Sequence, residues 1–132
     1  MRFLHTSDWH LGKTLKSRSR RDEHEAALAE ILDIARREKV DCLLITGDVF
    51  DSHAPPPDAE QLAFNFFSEL KRAGISAVVI GGNHDHPRRL RALEDVLRLI
   101  DIHIRAEPAR PDNGGIVEIR KNGESARVAA LP

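Results

Sequence analysis

Residues 40–48 have the sequence VDCLLITGD, and this stretch decides the fold. From Val40 to Thr46 only Asp41 interrupts a continuous apolar run, which is typical of a β-strand covered on both faces. The run ends at Gly47 and Asp48, where the glycine lets the backbone turn sharply out of the strand. The stretch therefore predicts a strand buried inside a sheet, followed directly by a polar turn.

Amphipathic segments and short apolar runs alternate on both sides of this strand. Apolar residues recur at helical spacing within residues 22–39, which predicts a helix there. Further strands are predicted over 2–6, 75–80 and 102–105, and further helices over 58–73 and 88–100. Asp58, with Gln61 three residues later, is the predicted N-cap of the second helix. The order of elements predicts an α/β fold with a mainly parallel sheet sandwiched by helices.

The end of the chain is richer in strand signals. Asn122 and Gly123 lie between two alternating runs, at residues 116–120 and 126–131. An Asn-Gly pair in that position predicts a β-hairpin.

Composition restricts the class of protein. The chain has 132 residues, of which 41% are hydrophobic and 31% charged, as in an ordinary globular domain. No apolar run approaches the roughly 18 residues that a membrane span needs. The single cysteine, Cys42, excludes an internal disulfide and favours a reducing compartment. We therefore expect no membrane association and a cytoplasmic location.

Charge is balanced over the whole chain but uneven along it. The net charge is −1, which by itself does not indicate nucleic-acid binding. Residues 13–21 nevertheless contain five basic side chains and no acid. This basic loop could contact nucleic-acid phosphates or could simply be solvated, and the sequence leaves both interpretations open.

Polar side chains follow each of the first three predicted strands. Asp8 and His10 follow the first, Asp48 the second, and Asn83 and His84 the third. Because the carboxyl ends of parallel strands line one crevice, these side chains should converge. Carboxylate, imidazole and amide ligands suit Mn²⁺, Fe²⁺ or Zn²⁺ better than Ca²⁺. The alternative, that each of these residues only stabilises a turn, explains single positions but not the joint set.

The same residue types fit a site with two metal ions. Asp48 is the candidate bridging ligand, because it lies on the central one of the three loops. Asp8 and His10 would then hold one ion and Asn83 the other. Two ions about 3.5–4 Å apart can orient phosphoryl oxygens and lower the pKa of a bound water.

Three motifs resemble those of calcineurin-like metallophosphoesterases: Asp8-Trp9-His10, Gly47-Asp48, and residues 82–85 with the sequence GNHD. The longer stretches LHTSDWHLG (4–12) and GDVFD (47–51), together with Pro87 after GNHD, resemble more closely the SbcD exonuclease subunits, bacterial nucleases of double-strand-break repair. The resemblance covers the chain to about residue 100.

This resemblance implies a Mn²⁺-dependent nuclease that cuts double-stranded DNA in recombination and repair together with an SbcC-type ATPase. It also implies a homodimer formed through the helices at 58–73 and 88–100. At the matching positions the family has metal ligands at Asp8, His10, Asp48 and Asn83. The position of His84 implies a catalytic general acid rather than a ligand.

The sequence departs from the family at later positions. The family completes its site with histidines in a Gly-His pair and a Gly-His-X-His motif, and no residue here matches them. We therefore expect residues 1–132 to be the N-terminal part of the nuclease domain, truncated before its C-terminal half. On that expectation the second metal site is incomplete and the chain alone is inactive.

Two other functions remain open. One is a different calcineurin-like phosphoesterase that acts on phosphoproteins or small phosphoesters. Protein phosphatases of this type carry Arg-Gly after the second motif, whereas Ser52 and His53 follow Asp51 here. The other is a non-catalytic fragment that dimerises or docks a partner. Asp51 and Asp85 are interpreted as loop-stabilising residues, and Trp9 as a packing residue.

Overall fold

Four parallel strands form the central sheet of the protein, which a computed structural model describes over residues 1–132. The strands in chain order are β1 (Phe3–Thr6), β2 (Thr14–Leu15), β3 (Arg18–Ser19), β4 (Cys42–Thr46), β5 (Ser76–Ile80), β6 (Ile102–Arg105), β7 (Ile116–Lys121) and β8 (Glu124–Ala129). The helices are α1 (Arg21–Arg37), α2 (Pro57–Arg72) and α3 (Pro87–Arg98), with a short 3-10 turn at Pro111–Asn113.

The order of strands in the central sheet is β1-β4-β5-β6. All three pairings are parallel, with Ile45 opposite Thr6 and Thr46 opposite Ile80. The carboxyl ends of β1, β4 and β5 are therefore neighbours at one edge of the sheet. The loops that follow them carry all five residues for which the sequence predicts a role in metal binding or catalysis.

The three helices pack on the same face of the sheet. Their apolar stripes meet inward-facing residues of β4, β5 and β6 in one continuous core. Its members include Leu28, Leu32, Leu43, Ile45, Leu62, Phe66, Ala77, Val79, Leu90, Leu97, Ile102 and Ile104. Of the three phenylalanines of α2, Phe66 and Phe67 are buried and Phe64 is partly buried.

A hairpin covers the other face of the sheet. Val117 and Ile119 of β7 pack with Cys42 and Val78 in a second, smaller core. The predicted α/β class with a parallel sheet is confirmed, and so is the predicted hairpin around Asn122. The second face, where a helical layer was also expected, carries this hairpin instead.

Two local predictions need correction. Asp58 is not the N-cap of α2, because the helix begins at Pro57 and no side chain caps it. Proline at the first helical position needs no amide partner, so it can start a helix without that help. The basic loop also has structure of its own, since β2 and β3 pair in an antiparallel ribbon. Its turn residues, Lys16 and Ser17, have left-handed φ angles of 47° and 63°.

None of the three helices combines the length and the apolar character that crossing a bilayer requires.

Candidate metal centre

The loop after β1 runs alongside the loop after β4. The backbone N–H groups of Asp8, His10 and Leu11 donate to the carbonyls of Gly47, Asp48 and Val49, at 3.2, 2.9 and 2.9 Å. These bonds continue the pairing of β1 with β4 beyond the strands themselves. As a result, the side chains of the first two motifs are fixed relative to one another by main-chain contacts.

His10 lies between two carboxylates. Its Nε2 is 3.7 Å from Asp48 Oδ2 and 3.9 Å from Asp8 Oδ1. Asp48 is buried, with 7% of its surface exposed, whereas Asp8 is more open to solvent. The ring of His84 stands perpendicular to that of His10, with centroids 4.9 Å apart. The structure therefore brings Asp8, His10, Asp48 and His84 together at one edge of the sheet.

The donor atoms of this cluster suit a divalent cation. One ligand atom each from His10, Asp48 and His84 lies within 4.8 Å of the others. Two atoms that share one ion at about 2.1 Å can be at most about 4.2 Å apart. The separations of His10 from the two carboxylates meet this limit. The mixed nitrogen and oxygen donors match those preferred by Mn²⁺, Fe²⁺ and Zn²⁺.

Asn83 is placed differently from the other predicted ligands. The residue is exposed, and its side chain forms no hydrogen bond. Its backbone carbonyl accepts a hydrogen bond from His53 Nε2 at 3.3 Å. Asn83 thus lies on the predicted edge of the sheet, in the loop next to Asp48 and directly before His84.

Asp85 connects two of the three loops. Its carboxylate, in a residue only 2% exposed, accepts hydrogen bonds from the backbone N–H groups of Val49, Phe50 and Gly82 at 3.2, 3.0 and 3.0 Å. It forms no hydrogen bond or ion pair with the side chains of His10, Asp48 or His84. The loop-fixing interpretation of Asp85 agrees with this geometry.

Glycine at position 82 lets the third loop approach Asp48 closely. A β-carbon there would lie 2.1 Å from Asp48 Oδ1 and 2.4 Å from the Asp48 backbone nitrogen. Both distances are far below van der Waals contact, so no other residue fits without displacing the carboxylate. The same carboxylate accepts the backbone N–H of His84 at 2.9 Å.

Three cluster residues have left-handed backbone conformations. The φ angles of Asp8, His10 and Asp48 are 56°, 48° and 49°. Few residues other than glycine adopt this region, and such conformations concentrate at functional sites. The surrounding main-chain bonds hold all three in place.

Asp51 also belongs to the site, although the sequence suggested only a loop-stabilising role for it. Its Oδ1 lies 3.3 Å from His10 Nδ1, and its carbonyl accepts a hydrogen bond from His84 Nδ1 at 2.8 Å. The only signal in the sequence was its position three residues after Asp48. Because a carbonyl only accepts, the second contact leaves Nε2 as the free nitrogen of His84.

Trp9 and His5 have structural contacts. The Trp9 ring packs edge-on against Phe66, with centroids 5.1 Å apart, and its Nε1 donates to Thr6 Oγ1 at 2.9 Å. His5 Nε2 pairs with Thr46 Oγ1 at 2.6 Å. Both contacts connect the first loop or strand to the rest of the fold, in agreement with the packing interpretation of Trp9.

Comparison with known proteins agrees with this geometry. The sequence profile of the calcineurin-like phosphoesterases matches residues 1–122. The chain belongs to the calcineurin-like phosphoesterase family. Members of this family use divalent metal ions, and the cluster of His10, Asp48 and His84 is the place where this phosphoesterase could hold one.

Several relatives are named as nucleases or repair proteins. The SbcD component of nuclease SbcCD from Bacillus subtilis is 42% identical over 132 residues, which cover 99% of this chain and 33% of that protein. The SbcD component from Rhodobacter capsulatus is also 42% identical, and the match covers all of this chain and 35% of the length of that protein. DNA double-strand break repair protein Mre11 of Sulfurisphaera tokodaii is 37% identical over 88% of this chain and 31% of its own. This phosphoesterase chain therefore spans about a third of the length of these relatives.

Proposed function

We propose that residues 1–132 form the N-terminal part of a Mn²⁺-dependent nuclease that hydrolyses phosphodiester bonds of double-stranded DNA in repair. The observation that carries the proposal is the convergence of His10, Asp48 and His84 from three loops in a chain similar to the SbcD component of nuclease SbcCD. The name SbcCD indicates that this relative works with a second component, and we propose an SbcC-type ATPase as the partner.

In this proposal Asp8, His10, Asp48 and Asn83 hold the divalent ions, with Asp48 between the two positions. When bound, such ions neutralise charge on the phosphoryl oxygens and supply a nucleophilic water. The ligands of the second ion are incomplete within residues 1–132. The chain alone is therefore expected to bind one ion and to cleave nothing.

His84 is proposed to protonate the leaving oxygen rather than to bind metal. Its Nδ1 is already used by the carbonyl of Asp51, so only Nε2 can carry a proton to substrate. Its backbone N–H is held by Asp48, which fixes the ring beside the ligands. A group in this position can act as a general acid, which typically accelerates a reaction about 10²–10⁴-fold.

A nuclease assay on the full-length protein tests these assignments. With Mn²⁺ and linear duplex DNA, Asp48→Ala and His84→Ala should each lower the rate at least about 100-fold. Asp33→Ala, which removes an exposed acid of α1, should leave the rate unchanged. Hydrolysis of a small aryl phosphodiester without hydrolysis of DNA would identify a different phosphoesterase.

Metal binding by the chain itself distinguishes a half-site from a non-catalytic fragment. Isothermal titration with Mn²⁺ should give one ion per chain, lost in Asp48→Ala. No binding by the parent chain would favour a folded module that only dimerises or docks a partner.

The β2–β3 ribbon is the proposed contact for DNA phosphates. Lys13, Arg20 and Arg21 pair with Asp51, Glu23 and Asp58, whereas the exposed Lys16 and Arg18 form no ion pair.

Because each phosphate contact releases counterions, Lys16→Ala and Arg18→Ala in the full-length protein should reduce the salt dependence of DNA binding. Arg127→Ala, an exposed cation on the hairpin at the other face of the sheet, is the matched control. If the salt dependence of DNA binding is unchanged in both ribbon variants, the ribbon does not contact the DNA phosphates.

Helix α3 supports the proposed homodimer. Val96 on this helix and Leu99 at its end are 63% and 81% exposed, which is unusual for large apolar side chains so close together. We propose that they pack against a second copy together with α2. In the full-length protein, Val96→Asp with Leu99→Asp should yield monomers in light scattering, whereas Leu131→Asp should not. A double variant that stays dimeric would contradict this interface.

A further inference from the structure

A cavity of about 230 Å³ lies at the base of the β2–β3 ribbon, between the ribbon and the first turns of α1 and α2. Thr14 and Ser19, which are paired across the ribbon, line one side of it. Gly12, two residues after His10, lines another side. None of the lining residues belongs to the metal cluster. The cavity is therefore a second concave feature at the edge of the sheet that carries the cluster.

His24 is the buried polar side chain of this cavity. The residue is 9% exposed, and its ring nitrogens form no hydrogen bond with the protein but are not sealed from solvent, so they face the cavity. Burial and then the nearby charge of Arg20 lower the pKa of this imidazole, so the neutral ring offers one donor and one acceptor. Since buried polar groups usually have partners, this ring is available to a ligand.

The charges around the cavity disfavour an anion as that ligand. Arg21 Nη1 lies 3.1 Å from Asp58 Oδ2, so the charge of the guanidinium is already balanced. The carboxylate of Asp58 would also repel a phosphate. Together with His24 and the hydroxyls of Thr14 and Ser19, this ion pair offers both donors and acceptors, while apolar side chains of α2 line the rest of the cavity.

We propose that this cavity receives an unpaired nucleobase at the end of the DNA. Proteins that bind an extruded base contact its edge with hydrogen bonds and pack its faces against apolar side chains, and the lining offers both kinds of contact. The volume is below the roughly 300–1,000 Å³ of pockets for drug-sized ligands, so a single ring system suits it. A base that is already unpaired also costs least to extrude.

The position of the ribbon supports this choice of ligand. Lys16 and Arg18 lie at or beside its turn, and Thr14 and Ser19 lie at its base. A DNA strand whose phosphates contact the turn would therefore pass close to the cavity. The identity of the ligand rests on the proposed nuclease function, whereas the cavity and its unpartnered histidine do not.

Two substitutions alter the cavity in different ways. His24→Leu removes the ring nitrogens and keeps an apolar side chain in their place. Thr14→Leu narrows the cavity from the exposed ribbon, outside the hydrophobic core. Ser125→Leu also replaces an exposed hydroxyl residue of a strand, but on the hairpin at the other face, and is the matched control. If His24→Leu fails to fold, Thr14→Leu still tests the cavity.

DNA binding by the full-length protein without divalent metal measures the contribution of the base. Two duplexes are compared, one with an unpaired nucleotide at the 3′ end and one with an abasic residue there, and a second pair carries the same change at the 5′ end. In at least one pair the parent should bind the base-bearing duplex at least about fivefold more tightly, as a well-matched base contact would give. His24→Leu and Thr14→Leu should lose this preference, and Ser125→Leu should keep it.

Free ligands separate a base site from an anion site. Guanosine, ribose and inorganic phosphate are added in turn to the full-length protein with ¹³C-labelled histidine rings, and the His24 signal is identified by its loss in His24→Leu. Guanosine should shift this signal, whereas ribose and phosphate should not. A protein that binds none of the duplexes would refute the proposed action on DNA, yet the guanosine titration still decides whether the cavity takes a base.

Three results would overturn the inference. One is equal affinity of the parent for the base-bearing and the abasic duplex in both pairs. Another is a preference for the base that survives in Thr14→Leu. The third is a His24 signal that responds to phosphate but not to guanosine.

Discussion

The carboxylate of Asp85 accepts the backbone N–H of Phe50 at 3.0 Å, across 35 positions of the chain. Together with the bonds from Val49 and Gly82, it fastens the loop after β5 to the loop after β4. These are the loops that supply Asp48 and His84. The relative position of two cluster residues thus depends on one buried acid that forms no hydrogen bond with either of their side chains.

Replacing Asp85 with alanine should destabilise the fold and loosen the site. Three backbone donors would lose their acceptor, and one buried unpaired donor costs about 1–3 kcal/mol. We expect the free energy of unfolding in urea to fall by about 3 kcal/mol. Asp58→Ala, which breaks an exposed ion pair with Arg21, should cost less than about 1 kcal/mol. Equal losses of unfolding free energy in Asp85→Ala and Asp58→Ala would contradict the role of Asp85 in joining the two loops.

Gly82→Ala should weaken metal binding as well as the fold. The added methyl would overlap both Asp48 Oδ1 and the Asp48 backbone nitrogen, so the carboxylate and the loop that carries it must shift. A tenfold or larger loss of Mn²⁺ affinity by titration is expected. Gly81→Ala is a close control, because a β-carbon there meets its nearest atoms at 3.3 Å. Equal Mn²⁺ affinities of Gly82→Ala and Gly81→Ala would show that the close approach of Gly82 to Asp48 does not affect metal binding.

His24 should make stability depend on pH. Burial and then the neighbouring Arg20 lower the pKa of this histidine below its usual 6.5. The unfolded chain therefore binds more protons, and this contribution to stability is complete above about pH 6.5 and is lost as the pH falls below it. Unfolding free energies of the parent and of His24→Gln, measured in urea between about pH 7.5 and 5.5, should converge toward the acid end. If the difference in unfolding free energy between the two proteins stays constant across that pH range, the pKa of His24 is not lowered.

Cys42 should be unreactive in the folded protein. Burial raises the pKa of its thiol to about 12, so about one molecule in ten thousand is a thiolate at pH 8. Since it is the only cysteine, colour release from an aromatic disulfide reagent reports this site alone. The reaction should be slow in buffer and fast in denaturant. Rapid labelling in buffer would mean that the sheet opens readily near β4.

The sequence predicted the main elements because their signals are local and agree with the tertiary structure. The apolar run of β4 and the helical spacing within α1 correspond to real elements, with boundaries shifted by one or two residues. The ribbon of β2 and β3 could not be predicted, since its turn uses Lys16 and Ser17 where such turns usually have asparagine and glycine. The position of the hairpin on the second face depends on long-range packing of Val117 and Ile119, which no local pattern specifies.

The site was predictable to the extent that parallel strands bring their ends together. This rule anticipated the proximity of Asp8, His10, Asp48 and His84. It could not place the Asn83 side chain, whose orientation depends on the path of an exposed loop. It also gave no information on Asp51, because contacts with His10 and His84 arise only when two loops run side by side.

The left-handed backbones of Asp8, His10 and Asp48 have a consequence for experiments that remove ligands. Aspartate, asparagine and histidine tolerate this conformation better than most side chains, so the main chain and the metal favour the same residue types. An alanine at these positions removes a metal ligand and also strains the backbone, so its effect cannot be assigned to lost coordination alone. Asp8→Asn and Asp48→Asn keep the preferred backbone, and are therefore the substitutions that isolate the role of charge.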